Sequence, residues 1–169
     1  MENEKKQGNF IIELIKLVIT VVVICFIILK FLMMPVVVDG SSMESTLHDK
    51  DFGYSFIITK NLGIKRFDIV VIDITEKLLV KRVVGFPGET VTYKDNKLYI
   101  NDEYVEEPFL NNAFTNDFTV TLGDDEYYCL GDNRSNSRDS RHYGPFSKEQ
   151  FTSTHIMVIY PFKDFGYSR

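Results

Sequence analysis

The chain has 169 residues, a formal net charge of −5, 44% apolar residues, ten glycines, five prolines and two cysteines. Ordinary Gly and Pro content excludes collagen-like and low-complexity classes, and the apolar fraction excludes a disordered chain. From Pro35 onward 15 Lys and Arg stand against 21 Asp and Glu, a net of −6 that repels a polyanion and excludes a nucleic-acid partner.

From Phe10 to Val38 almost every residue is apolar, with an uninterrupted core at Leu17–Leu29. As a helix, residues 10–34 reach roughly 37 Å at 1.5 Å per residue, enough to span a bilayer. Lys16 and Lys30 reach toward the two interfaces, and Glu13 sits near the entry side. A cleaved leader needs small residues in an A-x-A-like pattern, but Ala113 is the chain's single alanine. The reading is therefore a cytoplasmic tail over 1–9, a transmembrane signal-anchor helix over 10–34 and an extracytoplasmic domain over 35–169. Lys5, Lys6 and Lys16 precede the core while Asp39, Glu44, Asp49 and Asp51 follow it, which sets that orientation by the positive-inside rule. Cys25 lies in the apolar run and Cys129 far outside it, so no disulfide joins them, and no Cys/His spacing marks a metal site.

The remaining chain reads as strands almost throughout. Val36–Asp39, Gly53–Thr59, Asp68–Thr75 and Leu78–Phe86 are short runs rich in Val, Ile and aromatics, and Phe86-Pro87-Gly88 breaks the last as a type II turn. Glu89–Glu107 predicts two successive hairpins with Asp95-Asn96 and Asn101-Asp102 at their turns. Phe118–Leu122 and Glu126–Leu130 flank Gly123-Asp124-Asp125, Ser147–Phe151 forms a helical turn capped by Ser147, and His155–Phe162 is a last strand. The fold class is mostly β, an antiparallel β-sheet domain after one N-terminal transmembrane helix, with residues 89–116 as a small β-hairpin flap.

Three polar, Gly-bearing segments stand where strands end. Asp39-Gly40-Ser41-Ser42-Met43-Glu44-Ser45-Thr46-Leu47 follows the anchor directly. Leu78–Gly88 carries Lys81 and Arg82 inside an apolar strand, where alternation sends them to opposite faces and turns at least one into protein. A buried lysine must be paired or neutral. The third segment is Gly131-Asp132-Asn133-Arg134-Ser135-Asn136-Ser137-Arg138-Asp139-Ser140-Arg141.

Together these segments resemble the type I signal peptidases, the membrane-bound serine proteases of bacterial export, in the short single-anchor form common in Gram-positive bacteria. The matching elements are Gly40-x-Ser42-Met43-x-x-Thr46-Leu47, Arg66-Phe67-Asp68-Ile69-Val70-Val71, Val80–Glu89 and Gly131–Arg141, in the family's order. The resemblance implies a Ser/Lys dyad with Ser42 as nucleophile and Lys81 as its base, the lysine's pKa being lowered by its apolar surroundings. It implies that Ser137 orients the lysine amine, that Asp139 pairs with Arg141 and that Asp132 pairs with Arg82. The oxyanion hole would use the Ser42 backbone N–H, and Gly40 stands where some members add a hydroxyl. Substrate would add as a strand between Pro35–Gly40 and Leu78–Val80, with Val36, Val38, Gly40, Leu47, Leu79 and Val80 admitting only small groups at positions −1 and −3. The expected partners are signal-peptide-bearing preproteins and membrane lipid, with no cofactor or metal. Two positions depart from the family: Ser45 stands in place of a usual proline and Phe67 in place of a usual glycine.

Two rival readings follow from the same residues. A membrane-anchored chaperone or assembly factor for exported proteins such as pilins would lack the dyad, yet Ser42 and Lys81 are both present. A Ser-His-Asp hydrolase would draw on His48, His142 or His155, yet no G-x-S-x-G elbow occurs.

Overall fold

The computed structural model describes residues 2–57, 63–75, 77–110 and 114–167. They fall into two units, Met1–Met33 and Met34–Arg169. The first is a helix, α1 (Glu2–Leu32), whose segment Asn9–Leu32 has a mean hydropathy of 3.0 and is long and apolar enough to cross a membrane. The helix ends two residues short of the expected boundary at Met34. Pro35 removes a backbone donor and drives the residue before it out of the α region, so Met33 and Met34 join a strand instead.

The second unit is built from two antiparallel sheets. Its chain runs through β1 (Met33–Val37), β2 (Phe52–Phe56), β3 (Ile69–Asp73), β4 (Leu78–Gly85), β5 (Thr90–Lys94), β6 (Lys97–Ile100), β7 (Glu103–Val105), β8 (Phe118–Thr121), β9 (Glu126–Leu130), α2 (Ser140–Tyr143), β10 (Phe146–Ser147), β11 (Phe151–Tyr160) and β12 (Gly166–Tyr167). The larger sheet has the order β1-β2-β11-β3-β4-β9-β10, with β12 on β11; the smaller has the order β7-β6-β5-β8.

Period-two patterning explains the layers. Ile69 and Val71 of β3 join Val36, Val38, Met43, Leu47, Ile156 and Val158 in one core cluster. Val70 and Ile72, one residue out of phase, join Leu79, Val83, Cys129, Phe146 and Phe151 in another. The central strands β3 and β4 are buried on both faces for that reason. The smaller sheet covers a third cluster built on Val91, Tyr93, Leu98, Ile100, Leu122 and Tyr128.

Local turn chemistry fixes the hairpins. Asp95 and Asn96 (φ 51° and 57°) and Asn101 and Asp102 (φ 51° and 68°) occupy two-residue turns that need positive φ, and Asn and Asp tolerate it. Gly88 (φ 76°) follows Pro87, and Glu89 N–H donates to Phe86 O at 3.1 Å, as a type II turn requires.

The structure extends three expectations. The 89–116 flap becomes part of a four-stranded sheet, because β8 pairs along β5 and threonine pairs bridge it at Thr90–Thr121 and Thr92–Thr119 (3.0 and 3.1 Å). The last strand starts at Phe151, four residues before His155, and the Ser147-capped turn shrinks to a 3-10 turn over Lys148–Gln150, where Gln150 Oε1 accepts the Ser147 N–H at 2.9 Å. The helix α2 was not expected; Asp139 caps it by accepting from Arg141 N–H. Ile58 and Thr59, the end of the expected second strand, lie outside the described residues, as do Asn111–Ala113 of the flap.

Candidate active site

The centre of the site is β4, which pairs with β3 and β9 along its two edges and is covered on both faces by core clusters. Consecutive side chains on a strand point to opposite faces, so Lys81 and Arg82 are both taken out of water, at 3% and 0% exposure. Their environments differ. Arg82 donates to Asp132 through Nε (2.8 Å) and Nη2 (2.6 Å), to Phe67 O (2.8 Å) and to Thr46 Oγ1 (3.1 Å), and its guanidinium lies 3.9 Å from the Phe109 ring centroid. This is a bidentate ion pair in which four of the five guanidinium N–H groups are engaged. Lys81 Nζ meets only Ser42 Oγ and Val80 O, each at 2.7 Å, and among the described residues no carboxylate lies within ion-pair distance of it. Burial lowers its pKa to about 8, although the charges of Asp139 and Asp132 oppose the drop.

Ser42 sits in a tight segment after β1. Glu44 N–H donates to Ser41 O, and Thr46 and Leu47 N–H both donate to Met43 O, while Met43 and Leu47 anchor the segment in the core. Gly40 enters it at φ 94° with its N–H on Asp49 Oδ1 (2.7 Å).

The loop after β9 clasps this segment. Asn133 N–H donates to Ser42 O (3.1 Å), Asn133 Nδ2 to Ser41 O (3.1 Å) and Asn136 Nδ2 to Ser41 Oγ (2.9 Å). Thr46 Oγ1 donates to Asp132, so the Arg82 ion pair also holds the serine-bearing segment. The approach is close enough to require glycine at 131, where a Cβ would lie 2.2 Å from Ser137 Oγ and 2.4 Å from Ser42 O. Asp139 accepts from Gly131 N–H (3.0 Å) and from Arg141 Nε (2.8 Å) and Nη2 (2.7 Å). Burial pushes the Asp139 carboxyl up, but these donors outweigh it and hold the group below the usual carboxylate range. Arg141 also donates to Arg134 O and Thr115 Oγ1 (2.7 and 2.8 Å). Arg134 in turn is buried against Glu107 and Tyr93, which ties the loop to the smaller sheet.

A groove of about 190 Å³ opens beside the serine, lined by Pro35–Asp39, Ser42, Met43, Val71 and Leu78–Lys81. β1 is the last strand of its sheet, and the β4–β9 ladder covers only Arg82 to Gly85. Among the described residues, neither the outer edge of β1 nor the β9-side edge of Leu78–Val80 is paired. A peptide in extended form can add to both.

The structure brings Ser42 to Lys81, Arg82 to Asp132 and Asp139 to Arg141. It does not join Ser137 to the lysine: Ser137 Oγ is buried without a hydrogen-bond partner, close enough to Asp139 to help hold that carboxylate low. Val36, Val38, Leu79 and Val80 line the groove, whereas Leu47 and Gly40 do not. Leu47 is fully buried within the core cluster, supporting the wall from behind. Sequence reasoning gave no role to Met43, Thr46, Asn133 or Asn136, although all four stand in the quoted motifs. Glu107, Tyr93 and Thr115 had no local signal, because their partners lie 26 to 41 residues away.

Residues 11–160 match a family model described as signal peptidase, peptidase S26. The chain is 38% identical over 180 residues to Signal peptidase I of Bacillus amyloliquefaciens, covering 97% of each. Against Signal peptidase I S of Bacillus subtilis (strain 168) it is 38% identical over 177 residues, covering 96% of each. A crystal structure of a signal peptidase I from Enterococcus faecalis superposes with a TM-score of 0.51 at 32% identity, covering 57% of this chain and 97% of that one.

Proposed function

This chain belongs to the signal peptidase family, peptidase S26, and is a serine peptidase that removes signal peptides; we propose that Ser42 and Lys81 carry the chemistry. The observation that carries the assignment is the 2.7 Å contact between Ser42 Oγ and a buried lysine without a carboxylate partner among the described residues. Neutral Lys81 takes the proton of the Ser42 hydroxyl as Oγ attacks the scissile carbonyl. The Ser42 backbone N–H stabilises the oxyanion. The Lys81 ammonium then protonates the leaving amine, and the neutral amine left behind activates water to hydrolyse the acyl-enzyme. Asp132, Arg82, Asp139 and Arg141 are positioning residues that hold the two loops together. Ser137 is assigned the role of orienting the lysine amine.

The preprotein adds as an extended segment between Pro35–Gly40 and Leu78–Val80. Main-chain bonds provide affinity, and the apolar walls at Val36, Val38 and Val80 leave room for small side chains at −1 and −3. The helix anchors the enzyme in the cell membrane as a single span within Asn9–Leu32, with the residues before it in the cytoplasm and residues 35–169 outside. The test is cleavage of a synthetic preprotein by the full chain in detergent micelles. Ser42→Ala and Lys81→Met each abolish processing while a His48/His142/His155 triple substitution retains it; processing by Ser42→Ala at the wild-type rate overturns the assignment. A bulky residue at −1 blocks cleavage, and unimpaired cleavage of that substrate overturns the groove reading.

A further inference from the structure

Apart from the Ser42–Lys81 pair, three side chains converge beyond the serine-bearing segment. The donor atoms of His48, Asp51 and Asp164 all lie within 4.8 Å of one another. His48 Nδ1 stands 3.7 Å from Asp51 Oδ2 and 3.6 Å from Asp164 Oδ2. These separations are too long for direct hydrogen bonds. They approach the ~3.4 Å between neighbouring ligands of a tetrahedral ion with bonds of about 2.1 Å.

Burial makes the arrangement unusual. The Asp51 side chain is 2% exposed. Five buried side-chain polar atoms among the described residues lack a hydrogen-bond partner, and three of them are His48 Nδ1, Asp51 Oδ1 and Asp164 Oδ2. Asp51 Oδ2 accepts the His48 N–H at 2.8 Å. Buried polar atoms are ordinarily satisfied by protein, water or an ion, and these three orphans belong to the three side chains that converge here. Glu44 Oε2 lies 3.5 Å from His48 Nε2, in position to support the ring from its far side when Nδ1 ligates. The nearby cation is Lys163, 3.7 Å from Asp164 Oδ2 but three-quarters exposed and reaching only that one carboxylate.

We propose that His48, Asp51 and Asp164 form a structural site for a divalent transition-metal ion, with Zn²⁺ the best fit. One imidazole nitrogen and two carboxylates match zinc's mixed nitrogen and oxygen preference, and two negative charges balance the ion. The ion takes no part in peptide hydrolysis. Val38 N–H donates to Asp51 O and Lys50 N–H donates to Val38 O, both at 2.8 Å, so the His48–Asp51 turn is strapped to a wall of the groove. Asp164 closes the 3-10 turn that follows β11. The ion therefore fastens the groove wall to the end of the long strand.

The test uses the full chain in detergent micelles, stripped with chelator and titrated with ZnCl₂ by calorimetry and thermal unfolding. Wild type binds one equivalent and its Tm rises with Zn²⁺ concentration, whereas equal Mg²⁺ leaves it unchanged. A His48→Gln/Asp164→Asn double variant weakens binding about 100-fold or more, beyond what loss of a supporting partner costs. Absence of one-equivalent binding by wild type, or binding unchanged in the double variant, overturns the proposal. Should circular dichroism show the variant unfolded, two wild-type readouts decide. Co²⁺ must give visible d–d bands saturating at one equivalent, and Zn²⁺ must protect His48 from diethyl pyrocarbonate; failure of either overturns the site.

Discussion

On one face of β4 the Arg82 guanidinium is met by the Asp132 carboxylate, a backbone carbonyl, a threonine hydroxyl and an aromatic ring. On the other face the Lys81 ammonium, equally removed from water, is offered one hydroxyl and one carbonyl. Adjacent residues of one strand thus bury two cations under opposite terms. For Arg82 the fold supplies a counter-charge at contact distance, 2.6 Å from Nη2. Lys81 receives the acidic field only from a distance, so desolvation governs and its pKa falls to about 8. The paired cation builds the site, and the unpaired one is free to exchange a proton.

Breaking each cation separately tests that contrast most severely. Lys81→Met removes the proposed base, and cleavage of a synthetic preprotein is expected to fall by roughly 10³-fold or more while the unfolding midpoint in urea holds or rises. Arg82→Met is the converse, since it strands a buried carboxylate at Asp132. We expect a loss of about 3–5 kcal/mol in denaturant unfolding. Equal destabilisation by the two substitutions would erase the distinction.

Titration sharpens the same contrast. Below about pH 8 native Lys81 holds its proton at a desolvation cost, and above it the native amine is neutral. Between about pH 8 and about 10.4 the unfolded lysine is still protonated, so the unfolded state binds more protons and stability rises with pH. The gain attributable to Lys81 is roughly 3 kcal/mol across that window. It is measured as the difference between wild type and Lys81→Met in denaturant midpoints taken from pH 7 to pH 10. Over the lower part of the range kcat/KM climbs through about pH 8 as the free base appears. Identical pH slopes in the two proteins would mean that Lys81 does not titrate as a buried group.

Between the two faces the clasp at Gly131 keeps the loops in register. Gly131→Ala drives a methyl into Ser137 Oγ and Ser42 O, an overpacking that costs about 1–3 kcal/mol and displaces the nucleophile. Cleavage falls more than stability does, and a variant as active as wild type would show that the clasp does not set the serine's position.

Most of the strands and the burial of Lys81 and Arg82 were legible because they rest on local signals: period-two patterning, Asp-Asn and Asn-Asp turns, and two cations misplaced in an apolar strand. What escaped rests on distant partners. The pairing of β8 with β5 depends on a strand about 27 residues away. Leu47 reads as a pocket residue until the segment folds and sends it under the groove instead. The turn at α2 is set by Asp139, whose capping bond competes in sequence with its attraction to Arg141. Pattern alone could say that Lys81 and Arg82 point oppositely. It could not say which would be neutralised, because that depends on where Asp132 arrives from the loop after β9.

Asp139 offers the finest test, since it acts on Lys81 through its field and on the loop through its bonds. Asp139→Asn keeps the shape and, with its oxygen at the Oδ2 position, an acceptor for Gly131 N–H and Arg141 Nη2, while it loses the Oδ1 bond to Arg141 Nε and the negative charge. That charge raises the Lys81 pKa, so its loss moves the pKa further down. The rising limb of kcat/KM therefore shifts to lower pH in the variant, even if weaker pairing with Arg141 lowers the plateau. A purely structural role predicts a lower plateau with the limb unmoved. Asp132 also raises the Lys81 pKa, yet it cannot be used for the same test. Its substitution would strand Arg82 as well, so the field felt on one face of β4 cannot be altered there without breaking the ion pair on the other.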